Sequence, residues 1–195
     1  MIFGLFNRRE TDELRLTKQL AEQGCAEAQD ELGLMYLRGE GVGRDPGQAV
    51  HWFRRSAEQG YAPAQSNLGT AYEHGEGVSQ NFTEALKWFG KSAEQGDIIG
   101  HANLGVLYHK GRGVPQSYAK AAKHYLCAAE RGYAPAQSFL AGLYGEGNGV
   151  PRDDEEALKW YRLAAKQDDA KAYLCLGSMY ALGDGCPTST PVSQN

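Results

Sequence analysis

Register constrains this chain more than composition does. One pattern returns every 36 residues, without insertion or deletion, through four copies and into a fifth. Leu32, Leu68, Leu104, Leu140 and Leu176 are in phase, and so are Tyr36, Tyr72, Tyr108, Tyr144 and Tyr180. Glycine pairs follow at Gly39 and Gly41, Gly75 and Gly77, Gly111 and Gly113, Gly147 and Gly149, and Gly183 and Gly185. The second half of each unit carries Ala49, Ala85, Ala121 and Ala157, then Trp52, Trp88, His124 and Trp160. A period of this length means stacked supersecondary units, none able to bury its apolar face alone. The 195 residues therefore read as one elongated repeat domain.

Within a unit the spacing predicts two helices. Ala28, Gln29, Leu32, Gly33 and Tyr36 fall on one side of a first helix. Gly33, Gly69, Gly105 and Gly177 (Ala141 in the fourth copy) sit mid-helix, where glycine costs about 1 kcal/mol relative to alanine. A repeated cost points to a repeated cause, the close approach of the partner helix. Pro63 and Pro135 suit a first turn, and the glycine pairs supply the positive φ of a chain reversal. Asp45 with Pro46, Asn81 with Glu84, and Asp153 with Glu156 then mark the start of a second helix. Ala49, Trp52, Phe53, Ser56 and Ala57 form its apolar stripe. Gly60, Gly96 and Gly132 end that helix, with Asp168 in the fourth copy.

The expected organisation is an apolar tag at 1–10, a capping helix at 11–25, full repeats at 26–61, 62–97, 98–133 and 134–169, a partial fifth repeat at 170–186, and a disordered tail at 187–195. The apolar start, Ile2, Phe3, Leu5 and Phe6, precedes its basic residues, the reverse order of a secretory signal. Formal charge is −4 and pI about 5.7, which gives no electrostatic reason to bind nucleic acid or an anionic membrane. No apolar run is long enough for a membrane span. Cys25, Cys127, Cys175 and Cys186 occupy different phases of the repeat, so the reading is reduced thiols and a cytoplasmic protein, periplasmic or secreted if an upstream signal has been removed. Cys175 and Cys186 are the pair able to approach each other.

The combination Ala-Xaa-Ala-Gln, Leu-Gly-Xaa-Xaa-Tyr, Gly-Xaa-Gly-Val, Ala-Xaa-Xaa-Trp-Phe and Ala-Glu-Gln-Gly resembles the Sel1-like repeat (SLR) family, a branch of the tetratricopeptide-like α/α solenoids. The resemblance spans roughly residues 11 to 186. It implies an all-α fold, a right-handed superhelix of helix-turn-helix repeats with first helices on the concave side, and a non-catalytic adaptor or scaffold function. Departures gather in the third copy, with His124 for Trp and Ile98-Ile99-Gly100-His101 for Ala-Xaa-Ala-Gln; Cys186 replaces Val in the fifth.

Positions that vary between copies are free for recognition. On the first helices these are Asp30, Leu34, Leu37 and Arg38; Ser66, Thr70, Glu73 and His74; Ala102, Val106, His109 and Lys110; and Ser138. They are expected to line a concave groove that takes a partner peptide or helix. The last helix has no second helix after it, so Leu174, Leu176, Met179, Tyr180 and Leu182 are expected to mediate self-association, as a homodimer. Neither a Cys-X-X-Cys nor an i, i+4 histidine pair is present, and no cofactor is implied. No nucleophile motif, Walker loop or dinucleotide fingerprint appears. The alternatives are an immunity or inhibitor protein for a secreted effector and, further off, a β-lactamase-like hydrolase. Described relatives of the latter kind carry paired cysteines that this chain lacks.

Overall fold

Why each unit becomes a helical hairpin is visible at its ends and at its crossing point. In a computed structural model the described residues are 3–182 for the backbone and 12–181 for the side chains; they form ten helices and no strand. The helices are α1 (Phe3–Glu22), α2 (Ala26–Arg38), α3 (Pro46–Glu58), α4 (Ala62–His74), α5 (Phe82–Glu94), α6 (Ile98–Lys110), α7 (Tyr118–Glu130), α8 (Ala134–Glu146), α9 (Asp154–Ala165) and α10 (Ala170–Leu182). They divide into two compact units, residues 1–100 and 101–195, with α6 beginning in the first and continuing in the second. None of them is long and apolar enough to cross a membrane. Helix α1 is continuous through residues expected to form a separate tag and a capping helix.

Each second helix starts at a side-chain cap. Asp45 accepts from the Gln48 N–H, Asn81 from Thr83 and Glu84, Ser117 from Lys120, and Asp153 from Glu155 and Glu156. These bonds satisfy amides that the helix itself leaves unpaired. First helices end on a left-handed glycine, with φ 77° at Gly39, 72° at Gly75 and 69° at Gly147. Among the described residues Asp168 is the one non-glycine with positive φ, at 61°. It closes the turn into α10.

The mid-helix glycines are notches for aromatic rings. A Cβ built on Gly33 would lie 2.6 Å from the Phe53 ring, on Gly69 2.7 Å from Phe89, and on Gly105 2.5 Å from Tyr125. Phe53, Phe89 and Tyr125 are at most 1% exposed, so the residue that weakens each first helix lets its partner dock. In the fourth hairpin Ala141 and Gly142 are both buried and Tyr161 is the corresponding ring.

Hydrogen bonds repeat with the same period. Gln29 Nε2 donates to the Ala21 carbonyl at 3.0 Å, Gln65 to Ala57 at 3.1 Å and Gln137 to Ala129 at 3.0 Å. Gln59, Gln95 and Gln167 in turn donate to the Gln29, Gln65 and Gln137 side chains. Ser56 and Ser92 hydroxyls donate to the Ala26 and Ala62 carbonyls. These bonds satisfy polar groups that hairpin stacking removes from water.

One sequence expectation changes here. Cys175 is disulfide-bonded, whereas Cys25 and Cys127 are free thiols; the reading of four reduced cysteines is corrected at Cys175. A bridge at a single copy leaves no mark on the repeat register, which displays only what recurs. Cys186, with the expected tail at 187–195, lies outside the described residues.

Candidate functional site

The variable first-helix positions separate into a buried and an open set. In the first unit Asp30, Ser66 and Glu73 are buried, at 6%, 3% and 6% exposure. Ser66 donates to Asp97 Oδ2 at 2.8 Å, and the same carboxylate oxygen accepts from the Gly100 N–H at 2.7 Å. Asp30 Oδ1 accepts from Asn67 Nδ2 at 2.9 Å. Burial raises the Asp30 carboxyl to about 6, helped by Glu31 and opposed by the Asn67 bond. Ala102 and Ser138 of the second unit are also buried, and Ser138 donates to Asp169 Oδ1 at 2.6 Å. Asp169 Oδ1 accepts in turn from the Ala172 N–H at 2.8 Å. These five side chains were expected to line an open groove; instead they are packed inside the fold. The face opposite the Leu/Tyr stripe meets the following hairpin, a contact that a single-helix wheel does not display.

The open set in the first unit is Leu34, Leu37, Arg38, Thr70 and His74. Leu34 and Leu37 are half-buried against the cluster containing Val50, Phe53 and Leu68. Leu37 and Thr70 line one pocket of about 40 Å³ with Ala49, Val50, Phe53, Asn67 and Ala71, and Glu76 lies at its edge. Arg44 forms an ion pair with Glu76 while its Nε donates to the Leu37 carbonyl at 3.0 Å. Arg38 is exposed, 3.8 Å from Glu40, and His74 Nδ1 lies 3.0 Å from the Thr70 carbonyl. A wider hollow of about 430 Å³ is lined by Glu13, Glu31 and Glu40 with Met35, Gly39 and Gly41. Sequence reasoning missed it because Glu13 belongs to α1, outside the repeat.

In the second unit the open set is Val106, His109 and Lys110. His109 sits in an aromatic cluster, edge-on to Tyr118 at 5.2 Å and 6.1 Å from both Tyr125 and Phe139. Tyr125 and Phe139 stack at 5.2 Å, and Lys171 Nζ lies 4.3 Å from the Phe139 ring centre. Burial lowers the His109 pKa, with Lys171 and Lys110 acting in the same direction. His109 Nδ1 and Tyr125 Oη are buried without a hydrogen-bond partner among the described residues. Elsewhere in this unit, two substituted positions meet: His101 Nδ1 lies 3.2 Å from His124 Nδ1, and His124 stacks on Tyr108. His124 is a hydrogen-bonded, half-buried side chain whose pKa is lowered by burial, then by His101 and Lys120.

A sequence signal for the buried set did exist. The pairs Asp30 and Tyr61, Ser66 and Asp97, Ala102 and Tyr133, Ser138 and Asp169 alternate along the chain. Serine stands wherever the next first helix opens with an aspartate, because the hydroxyl holds that carboxylate. Of the residues expected to self-associate, Leu174 and Tyr180 are 73% and 64% exposed. Leu176 and Met179 are half-buried, and the Leu182 side chain is outside the described residues. Among the described residues no three His, Cys, Asp or Glu side chains gather as a metal site.

This repeating geometry is shared with known proteins. The Sel1 repeat model matches residues 26–61, 62–97, 98–133 and 134–169. Of solved structures, c5321, a protective antigen of uropathogenic Escherichia coli strains displaying an SLR fold, is 44% identical with a TM-score of 0.84. That match covers 89% of this chain and 37% of c5321. A Sel1 repeat protein from Oxalobacter formigenes is 34% identical with a TM-score of 0.78, covering 87% of this chain and 49% of that one. The chain thus spans less than half the length of either. Immunity protein Pa5087 from Pseudomonas aeruginosa, 22% identical with a TM-score of 0.58 over 87% of this chain and 62% of its own, shares the fold. No curated protein matches the sequence. Sel1 repeats generally mediate protein–protein interaction and are mostly of non-catalytic scaffold type. Four contiguous matched repeats, carried on hairpins of one design, make this chain a member of the Sel1 repeat family.

Proposed function

We propose that this chain is a non-catalytic adaptor that holds a peptide or helix of a protein partner against its first helices. The observation that carries the reading is the convergence of Leu37 and Thr70, from successive first helices, on one apolar pocket with a charged edge at Glu76. Such a pocket suits an apolar anchor side chain, with Arg38 and His74 available to polar groups alongside. In the second unit Val106, His109 and Lys110 offer a different chemistry at equivalent positions, which suits discrimination between partners. A net charge of −4 argues for a protein partner over nucleic acid. Reading the chain as an immunity or inhibitor protein rests on shared fold alone.

Site-specific photo-crosslinking in the source cell tests the proposal. A crosslinker at Thr70 captures a discrete protein partner, whereas one at Lys91, exposed on a second helix, does not. Substituting Arg38→Glu together with Thr70→Trp lowers the yield at least tenfold, circular dichroism confirming the fold. Equal capture at Thr70 and Lys91, or capture insensitive to the double substitution, overturns the first-helix surface.

A further inference from the structure

In the second unit, side chains that depart from the repeat converge on one patch. His109 of α6 stands where other copies have Leu37, Glu73 and Gly145. Phe139 of α8 replaces Glu31, Asn67 and Asn103, and Lys171 of α10 replaces Glu27, Pro63, Ile99 and Pro135. The His109 and Phe139 rings lie 6.1 Å apart, and Lys171 Nζ lies 4.3 Å from the Phe139 centre. Three successive first helices thus give one side chain each. Positions that accept leucine, glutamate, asparagine or proline elsewhere do not need this set for stacking.

The patch also holds positive charge at an unfavourable place. Ala172 and Cys175 are buried and Asp169 caps the first turn, so that flank of α10 is finished. Lys171 beside them is half-buried in the same turn, the end of a helix that disfavours a cation. Burial lowers its pKa, opposed by Asp169 and Glu146. Both carboxylates are engaged elsewhere, Asp169 by Ser138 and the Ala172 N–H, Glu146 by Asn148. Among the described residues neither Lys171 nor Lys110 forms an ion pair. Continuation of the repeats does not close the position. Glu27, Pro63, Ile99 and Pro135 are all exposed although further helices follow each of them.

We infer that this patch recognises an acidic segment of the protein partner. Lys171 and Lys110 take an Asp or Glu carboxylate, and an apolar neighbour lies on the Phe139 and Tyr118 rings. Charge complementarity selects this occupant: the bound carboxylate supplies the counter-charge that the half-buried lysine lacks. The inference rests on the adaptor reading and assigns the chemistry of its second-unit surface.

The test is selection of a random dodecapeptide phage library on the full chain, followed by fluorescence anisotropy of labelled selected peptides. Enrichment of Asp and Glu over the starting library is expected. Changing those residues to Asn and Gln weakens binding at least tenfold. In the chain, Lys171→Met keeps the aliphatic contact with Phe139 and removes the charge, and it weakens binding at least tenfold. Lys171→Arg stays within threefold of the parent. Lys171→Met melts no lower than the parent, because it deletes a half-buried cation from a first turn. Lost binding without lost stability separates a missing charge from a damaged fold. No selected peptide, no acidic enrichment, or equal binding by Lys171→Met overturns the inference, while crosslinking at Thr70 decides the adaptor reading separately. A peptide that binds over tenfold tighter with phosphoserine in place of Glu also overturns it, since the seat then belongs to a phosphate.

Discussion

Helices α4 and α10 are built from the same motif and meet different surroundings. In α4, Leu68 is fully buried, Gly69 is closed by the Phe89 ring and Ser66 reaches Asp97 across the stack. In α10, Leu176 is half-buried, no atom of the described residues lies within 4 Å of a Cβ built on Gly177, and Leu174 and Tyr180 are exposed. The difference teaches what the motif is for. Its glycine gives no advantage to an isolated helix and lowers helix propensity; the benefit arrives only with a ring from the next helix. Stability in such a chain belongs to interfaces more than to helices, as nearest-neighbour descriptions of repeat proteins hold.

Emptying an inner seat should have the largest effect. Phe89→Ala removes a fully buried ring from the α4–α5 hairpin and is expected to cost about 4 kcal/mol, read from the urea midpoint. A loss below about 1 kcal/mol would mean that α4 does not depend on its ring and resembles α10 after all.

Next comes the buried carboxylate of α2. With its pKa raised from 3.8 to about 6, folded Asp30 holds its proton more tightly than the unfolded chain does. Its favourable contribution is therefore complete below pH 3.8 and is lost as pH rises through about 6. Asp30→Asn keeps an acceptor for Asn67 and should stabilise the protein by about 2 kcal/mol at pH 7. Denaturation at pH 7, 5.5 and 4 should show this advantage shrinking with acidity. An advantage that grows toward pH 4 would contradict the assignment.

A smaller effect belongs to the finished flank of α10. Ser138→Ala leaves Asp169 without the hydroxyl that positions it over the first turn and should cost about 1 kcal/mol. Amide exchange should rise in α10 with little change in α4. Uniform acceleration across both helices would mean that α10 is not separately anchored.

The hairpins, their caps and the reason for the mid-helix glycines were legible because each is local or recurs at a fixed interval. Asp45, Asn81 and Asp153 act as caps, and Gly33 meets Phe53 as close packing requires. The Leu and Tyr register carried the family resemblance as well. What spacing alone conceals is which residues meet between hairpins. His101 and His124 were each conspicuous as departures, yet their contact joins two different helices. Ser66 and Ser138 fall on the groove side of a helical wheel because a wheel assigns one buried face to a helix, and these helices have two. The alternation of Ser with a downstream Asp was the available clue. The bridge at Cys175 is not legible from the repeat because it belongs to one copy and not to the period.

The central claim is that the conserved-register glycine is a seat for a neighbouring ring and nothing more. A matched pair of chemical denaturations, Gly69→Ala and Gly177→Ala, tests it most directly. At Gly69 a methyl group meets the Phe89 ring at 2.7 Å, and the strain outweighs the gain in helix propensity for a net loss of about 1 kcal/mol. At Gly177 the gain stands alone and stability rises by up to about 1 kcal/mol. Opposite signs are the predicted result; a loss at both positions, or a gain at both, would contradict it.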